Sequence, residues 1–404
     1  MELKQGYKQT ELGIIPENWD IKELGVLGEV KMCKRIFNYQ TKPQGDIPFF
    51  KIGTFGKEPD AFITNELYSN FRQRFSFPKK GTLLISAAGT IGRTIVYDGQ
   101  PSYFQDSNIV WIENEERIVP NSLLFHILQT VNYNTEGGTI QRLYNSILKS
   151  TKFIYPAKAE QTAIANALSD IDDLISKTEK LIYKKKAIKQ GVMQELLKPK
   201  DGWVTKRISE VCWFQEGPGV RKHQFTHSGV KLLNGTNIQE GKLDLENTDK
   251  FIAEDEAFGW YSHFLVDEND ILIACSGVSI DKFHEKVTVA KVFHLPLCMN
   301  TSTMRFKVKK GYLDQGYFIQ FLKSKRFKEQ ISGKATGSAQ LNFGPSHVTM
   351  VEIDLPGIEI QNKIGQVLSD MEMEIGNFEL KLKKLSFQKQ GMMQALLTGK
   401  IRLL

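Results

Sequence analysis

The sequence predicts a mixed α/β (α+β) protein: two similar globular domains separated by two long helices that form an antiparallel coiled coil, with an internal pseudo-twofold repeat. Three observations predict it. A long segment recurs at a fixed offset, an apolar seam at helical spacing runs through both copies, and the stretches between them carry strand, turn and helix signals in the same order.

The segment from Pro156 to Leu197 aligns without a gap with Pro356 to Leu397, and about 16 of 42 positions are identical. Shared runs include Leu168-Ser169-Asp170 with Leu368-Ser369-Asp370. They also include Lys189-Gln190-Gly191-x-Met193-Gln194-x-Leu196-Leu197 with Lys389-Gln390-Gly391-x-Met393-Gln394-x-Leu396-Leu397. Upstream of each globular stretch lies a tryptophan with an apolar residue five positions on, Trp19 with Leu24 and Trp203 with Ile208. The repeating unit is thus a domain followed by a helix.

Within the first copy, alternating steps of four and three pick out Ile164, Leu168, Ile171, Ile175, Thr178, Ile182, Lys185, Lys189, Val192 and Leu196. The second copy gives Ile364, Leu368, Met371, Ile375, Phe378, Leu382, Leu385, Lys389, Met392 and Leu396. That spacing is a coiled-coil seam. Each helix should run about 38 residues, roughly 57 Å, follow a proline and contain none. So long a seam needs a partner, and the other copy, reached after a whole domain, pairs best antiparallel; packing of each helix on its own domain is the alternative. Lys189 and Lys389 fall on the seam, either where its apolar part ends or facing another subunit.

The expected boundaries are 1–155 for the first domain, 156–200 for the first helix, 201–355 for the second domain and 356–404 for the second helix and tail. Strands are expected in Gly81-Thr-Leu-Leu-Ile-Ser86 and Asp270-Ile-Leu-Ile-Ala-Cys275, and again in Ser107–Ile112 and Thr303–Val308. Short helices follow, capped by Asn121 and Asp314. Gly-rich polar loops, from Gly137 to Asn145 and from Thr336 to Asn342, precede the last strand of each domain. The helices kept their likeness while the domains diverged, so one part does one job twice and the other does two different jobs.

Composition sets bounds. The chain of 404 residues has room for two domains, and its 41% apolar content suits a folded protein. No apolar run is long enough to span a membrane and the first residues lack a secretory core, so a cytoplasmic protein without a membrane partner is expected. Cys33, Cys212, Cys275 and Cys298 show no CxxC spacing and read as reduced, buried thiols. A net charge of +7 is compatible with a polyanionic partner without requiring one.

No catalytic set emerges. Ala88-Gly-Thr-Ile-Gly92 lacks the dinucleotide spacing, and Gly333-Lys334-Ala335 lacks the hydroxyl of a P-loop. His223 and His227 sit in a loop-like segment with no third ligand nearby. Cys275 with His284, His294 and Cys298 is better read as core and surface, and Glu240-Gly-Lys242 as a turn. The chain is therefore expected to bind rather than catalyse, with no cofactor and no metal.

These parts, in this order, resemble the specificity subunit of type I restriction–modification enzymes over nearly the whole chain. The marks are the paired Lys-Gln-Gly-x-Met-Gln-x-Leu-Leu endings and the Thr398-Gly-Lys-Ile-Arg402 tail. The Thr10-Glu-Leu-Gly-Ile-Ile-Pro-Glu-Asn-Trp19 start and the Pro-x4-Gln pairs Pro156/Gln161 and Pro356/Gln361 add to them. The resemblance implies two target-recognition domains, each reading one half of a split, asymmetric site in double-stranded DNA. It also implies two methyltransferase subunits docked on the helices and motor-nuclease subunits in the full complex. Phosphate contacts need Lys or Arg on loops and base edges need Arg, Asn or Gln forks. The candidates are Arg72, Arg74, Arg93, Arg142 and Asn145 in the first domain, and Arg221, Lys222, Lys282, Lys334, Gln340 and Asn342 in the second. The alternative is a non-catalytic coiled-coil scaffold whose domains bind protein or other ligands.

Overall fold

The computed structural model describes residues 5–133, 142–246, 248–333 and 340–403. Two compact units divide the chain, Met1–Glu179 with Leu380–Leu404 and Lys180–Glu379. The long helices span Lys158–Leu196 and Ile358–Leu396, 39 residues each, so each helix gives one half to each unit.

In the first unit, Asp20–Glu23 pairs antiparallel with Lys152–Tyr155, the strand that leads into the first long helix. A four-stranded antiparallel sheet runs in the order Val30–Met32, Ile109–Ile112, Leu83–Ser86, Thr94–Val96. Side chains alternate across it. Leu83, Ile85, Val110 and Ile112 join a core with Trp19, Ile164, Leu168, Leu396 and Leu397, whereas Leu84, Ile109 and Trp111 join a second, aromatic core with Phe49, Tyr68 and Tyr103. Because both faces are covered, the central strands are unbroken apolar runs rather than alternating ones. A smaller sheet orders Phe62–Ile63, Ile47–Phe50 and Tyr103–Phe104, the last two parallel.

The second unit repeats this order with different residues. Val204–Arg207 pairs with Glu352–Leu355, and the four-stranded sheet is Cys212–Glu216, Thr303–Val308, Ile271–Ala274, Val287–Val289. Its smaller sheet is Phe251–Ile252, Val230–Leu233, Leu297–Met299, again with the last two parallel. Matching the ladders puts Arg305 where the first domain has Trp111, since Trp111 lies opposite Leu84 and Arg305 opposite Leu272. Both are buried. The guanidinium spends its donors locally: Nη1 on Asp270 Oδ2 at 3.0 Å and the Leu265 carbonyl at 2.6 Å, Nη2 on the His263 carbonyl at 2.8 Å, and Nε and Nη2 on Gln215 Oε1.

The short helices form at Asn121–Leu128 and Gln315–Lys323. Asp314 caps the second, accepting from the Tyr317 amide at 2.8 Å. Asn121 does not cap the first: it is the first helical residue, after Pro120, and its side chain donates instead to the Gly81 carbonyl. Pro120 already supplies the extended residue from which the helix starts, which leaves the asparagine side chain to tie back to Gly81, just ahead of the strand Leu83–Ser86. Parts of the Gly-rich loops, 134–141 and 334–339, lie outside the described residues.

The Pro-x4-Gln pairs have a physical cause. Gln161 is buried and its Nε2 donates to the Pro156 carbonyl at 3.1 Å; Gln361 does the same to Pro356 at 2.9 Å. Each glutamine closes the start of its helix on the bend that precedes it. Along both helices every seam position is buried or half-buried. The seam packs both on its own domain and on the other helix. Ile164 and Leu168 share a core with the first domain and with Leu396 and Leu397; Ile364 and Leu368 share one with the second domain and with Met193 and Leu197.

The direction of pairing follows from the ion pairs. Lys185 meets Glu374 at 2.6 Å and Lys189 meets Glu372 at 2.5 Å, so four residues forward on one helix are two residues back on the other. In the first unit Lys389 meets Asp172 at 2.6 Å. Lys189/Glu372 and Lys389/Asp172 are the same positions of the repeat with the helices exchanged. The two seam lysines are thus half-buried partners of a carboxylate on the opposite helix. Burial lowers Lys189; on Glu372 burial pushes upward, but Lys323 and Lys189 outweigh it and hold the carboxyl below its usual range.

Two buried groups are peculiar to the first unit. Glu160, fully buried, accepts Trp19 Nε1 at 2.8 Å and Arg402 Nε at 2.7 Å, where the second copy of the repeat has exposed Ile360. Burial opposes its charge, and the bonds from Arg402 and Trp19 keep its carboxyl below the usual range all the same. His126, buried with Nδ1 3.9 Å from Asp172, stands where the second domain has Gln320. Burial pushes its imidazole down to about 4 against the pull of Asp172, with Lys389 adding to the fall.

Two predictions follow from these groups. Arg402→Ala strands a buried carboxylate and should cost about 2–4 kcal/mol in urea unfolding; adding Glu160→Gln, which still accepts from Trp19, should recover most of it, and a double variant no better than the single one contradicts the assignment. For His126 the folded state holds fewer protons than the unfolded chain below about pH 6.5. Its contribution is therefore complete above that pH and falls as pH drops toward about 4. After solvent screening the loss should reach about 1–2 kcal/mol by pH 5, and His126→Gln should flatten that part of the profile.

Candidate nucleic-acid interface

In each domain the strand at the centre of the larger sheet runs out into a loop that a later segment pins. In the first, Leu83–Ser86 continues into residues 87–93. Ser86 Oγ bonds both the Thr90 carbonyl and the Arg93 amide, the Leu143 amide donates to the Ala87 carbonyl at 2.9 Å, and Arg142 bridges Ala88. Arg93 and Arg142, both exposed, are thereby brought to the same loop. Arg93 Nη1 is tied to the Phe55 carbonyl at 3.0 Å. Asn145 is the exposed first residue of the helix Asn145–Ser150.

The second domain builds the loop the same way. The Phe343 amide donates to the Cys275 carbonyl at 2.9 Å, and Val278–Ser279 pairs with Gln340–Leu341. The equivalence of Leu143/Ala87 and Phe343/Cys275 sets Arg142 and Asn342 at matching positions. Asn342 is partly committed to the fold: its Oδ1 accepts from Ser276 Oγ and the Gly277 amide, both at 2.9 Å. Gln340 and Lys282 are exposed on the same pair of segments, the Lys282 amide donating to the Ser279 carbonyl. Lys334 lies outside the described residues.

The other candidates lie on separate elements. Arg72 and Arg74 are exposed on the helix Asn65–Arg74, with Arg72 over the rings of Tyr68 at 5.9 Å and Phe77 at 5.5 Å and Arg74 over Phe75 at 5.7 Å. Arg72 also lines a shallow concavity with Phe77, Lys79, Lys80 and Tyr97. None of its three cations makes an ion pair among the described residues. Sequence reasoning passed over Lys79 and Lys80, although the Phe-Pro-Lys-Lys run ending at Lys80 was a visible signal. Arg221 and Lys222 are exposed on a separate turn.

Among the described residues no group of three His, Cys, Asp or Glu side chains could hold a metal ion, and no helix is long and apolar enough to cross a membrane. The four cysteines are free and buried. Burial raises all four thiols, Cys33, Cys212 and Cys275 to about 12 and Cys298 to about 11.

The chain is thus a duplicated domain-and-helix protein that exposes cationic and amide side chains on matched loops. Residues 16–188 and 200–386 each match the type I restriction modification DNA specificity domain. The chain belongs to that family and is a specificity subunit of a type I restriction–modification system, the non-catalytic, DNA-recognising component. It is 53% identical over 169 residues to a putative type I restriction enzyme specificity subunit of Haemophilus influenzae, a match spanning 42% of this chain and only 44% of that one. To the MjaVIII specificity subunit of Methanocaldococcus jannaschii it is 26% identical over 99% of this chain and 96% of that one. The crystal structure of a type I restriction–modification S subunit from M. genitalium shares the fold, with 15% identity, a TM-score of 0.60 and 98% of each chain covered.

The geometry separates a bracing residue from a displayed one. Asn342→Ala should cost about 1 kcal/mol by removing the acceptor for the 276–277 loop, whereas Arg142→Ala should stay within about 0.5 kcal/mol of the parent. Thermal unfolding compares them, and equal losses would contradict the distinction.

Proposed function

We propose that the chain reads a bipartite, asymmetric site in double-stranded DNA, each domain reading one half. In this reading residues 1–155 and 201–355 are the target-recognition domains. The helices at 156–200 and 356–404 dock two methyltransferase subunits, motor-nuclease subunits join for cleavage, and the complex works in the cytoplasm. The observation that carries it is the matched pinned loop: one backbone arrangement used twice, displaying Arg142 in one domain and, in the other, Gln340 beside the bracing Asn342. A guanidinium and an amide select different base edges, so two copies of one scaffold read two sequences. The names of the relatives, all specificity subunits, support the same reading.

A scaffold for protein ligands is the competing reading, and salt separates them. Binding of the full chain, with its methyltransferase, to random duplex should weaken steeply as salt rises; a flat response favours the scaffold. Arg142→Ala should alter one half of the methylated sequence in a genome-wide map and spare the other, and a change in both halves would contradict two independent readers. Helix length is proposed to set the unread gap, since about 58 Å of helix matches roughly 17 base pairs. Removing one heptad from each helix should shorten the gap, and an unchanged gap would rule this out.

A further inference from the structure

The two domains also carry one turn built twice. In the first, Asn38–Gln40 is a single 3-10 turn closed by Gln40, whose Oε1 accepts from the Phe37 amide at 2.9 Å, while the Thr41 amide donates to the Asn38 carbonyl at 3.1 Å. Lys42 then bridges Phe62. In the second, Lys222–Gln224 is closed by Gln224, whose Oε1 accepts from the Arg221 amide at 3.0 Å, while the Phe225 amide donates to the Lys222 carbonyl at 3.3 Å. Thr226 then bridges Phe251. Phe62 and Phe251 each begin an outer strand of the smaller sheet, so the turn holds the same place in both domains.

The lock is the same and the display differs. One turn exposes Phe37, Asn38 and Tyr39; the other exposes Arg221, Lys222 and His223. Tyr39 is 83% and Phe37 51% exposed, and their rings stack at 5.8 Å with 10° between the planes. Two large rings left in water on a braced turn forgo burial, and mutual stacking leaves them little freedom to lose on binding. Arg221 and Lys222 make no ion pair among the described residues. A single position that offers cations in one copy and flat apolar rings in the other suits one kind of ligand that presents both phosphates and apolar base surfaces, which is duplex DNA. A protein partner of one kind would meet opposite chemistries at the two turns.

We infer that the turns at 37–39 and 221–223 are a matched pair of DNA-reading elements. The first sets its stacked rings against apolar base surface, a thymine methyl or an opened base step, and the second sets its cations on phosphate or guanine edges. This rests on the two-reader function proposed above.

The test uses the full chain with its methyltransferase subunits, comparing Phe37→Ala/Tyr39→Ala with Arg221→Ala/Lys222→Ala. Both pairs are exposed, and thermal midpoints matching the parent confirm folding. The aromatic pair should relax only one half-site in the methylation map and weaken binding to a duplex carrying the mapped site about tenfold, with the salt slope unchanged. The cationic pair should act on the other half-site and reduce the salt slope by about 1–2. An unchanged map and affinity for the aromatic variant overturn the inference, and with Arg142→Ala still altering one half they leave the two-reader function standing. Weaker methyltransferase association in the absence of DNA also overturns it and assigns the rings to protein docking. Simultaneous change of both half-sites in every variant would instead contradict the two-reader function.

Discussion

Antiparallel pairing between two copies of one helix is the constraint on which the rest of the molecule depends. A lone helix of 39 residues with an apolar seam cannot stand in water. Its N-terminal turns are covered by its own domain together with the C-terminal turns of the other copy, as Ile164 and Leu168 are with Leu396 and Leu397. Repeating that arrangement with Ile364, Leu368, Met193 and Leu197 completes both units. The half-buried pairs Lys189/Glu372 and Lys389/Asp172 add direction to the apolar seam, because a charge taken from water in either copy is matched only when the helices run opposite ways.

With the helices fixed in this way, the domains need only keep their strand order. The exchange of Trp111 for Arg305 at one buried sheet position shows how far they have drifted: an indole that packs against aromatic rings is replaced by a guanidinium whose donors are all consumed locally. Divergence at the pinned loop and the glutamine-locked turn concerns exposed side chains, and there the backbone hydrogen bonds are retained while the chemistry on display changes. Such a division lets sequence reading vary without disturbing the frame.

The parts of this arrangement that were legible in the sequence are those written in local spacing. The seam, the glutamine five residues after each helix-preceding proline and the apolar strands around Ile85 and Ile273 all fall at fixed short intervals, and the resemblance of the repeat to a known family was carried by such intervals too. What escaped needed partners distant in sequence. Nothing near Lys189 announces Glu372, and nothing near His126 announces Asp172. Asn342 reads as a fork in the sequence, yet its oxygen braces Ser276 and Gly277, partners more than sixty residues away. The likeness of the Phe37 and Arg221 turns is hidden because the shared glutamine is single and the displayed residues differ in every property.

The direction of the helix pair can be measured without DNA or partner subunits. The four native cysteines are buried, so Lys189→Cys/Glu372→Cys presents two reactive thiols to a short bismaleimide in the folded chain. Antiparallel pairing predicts rapid intramolecular cross-linking of that variant and none for Lys189→Cys/Lys389→Cys. Cross-linking of the second variant in place of the first would show the two copies running side by side in register, and would contradict the account.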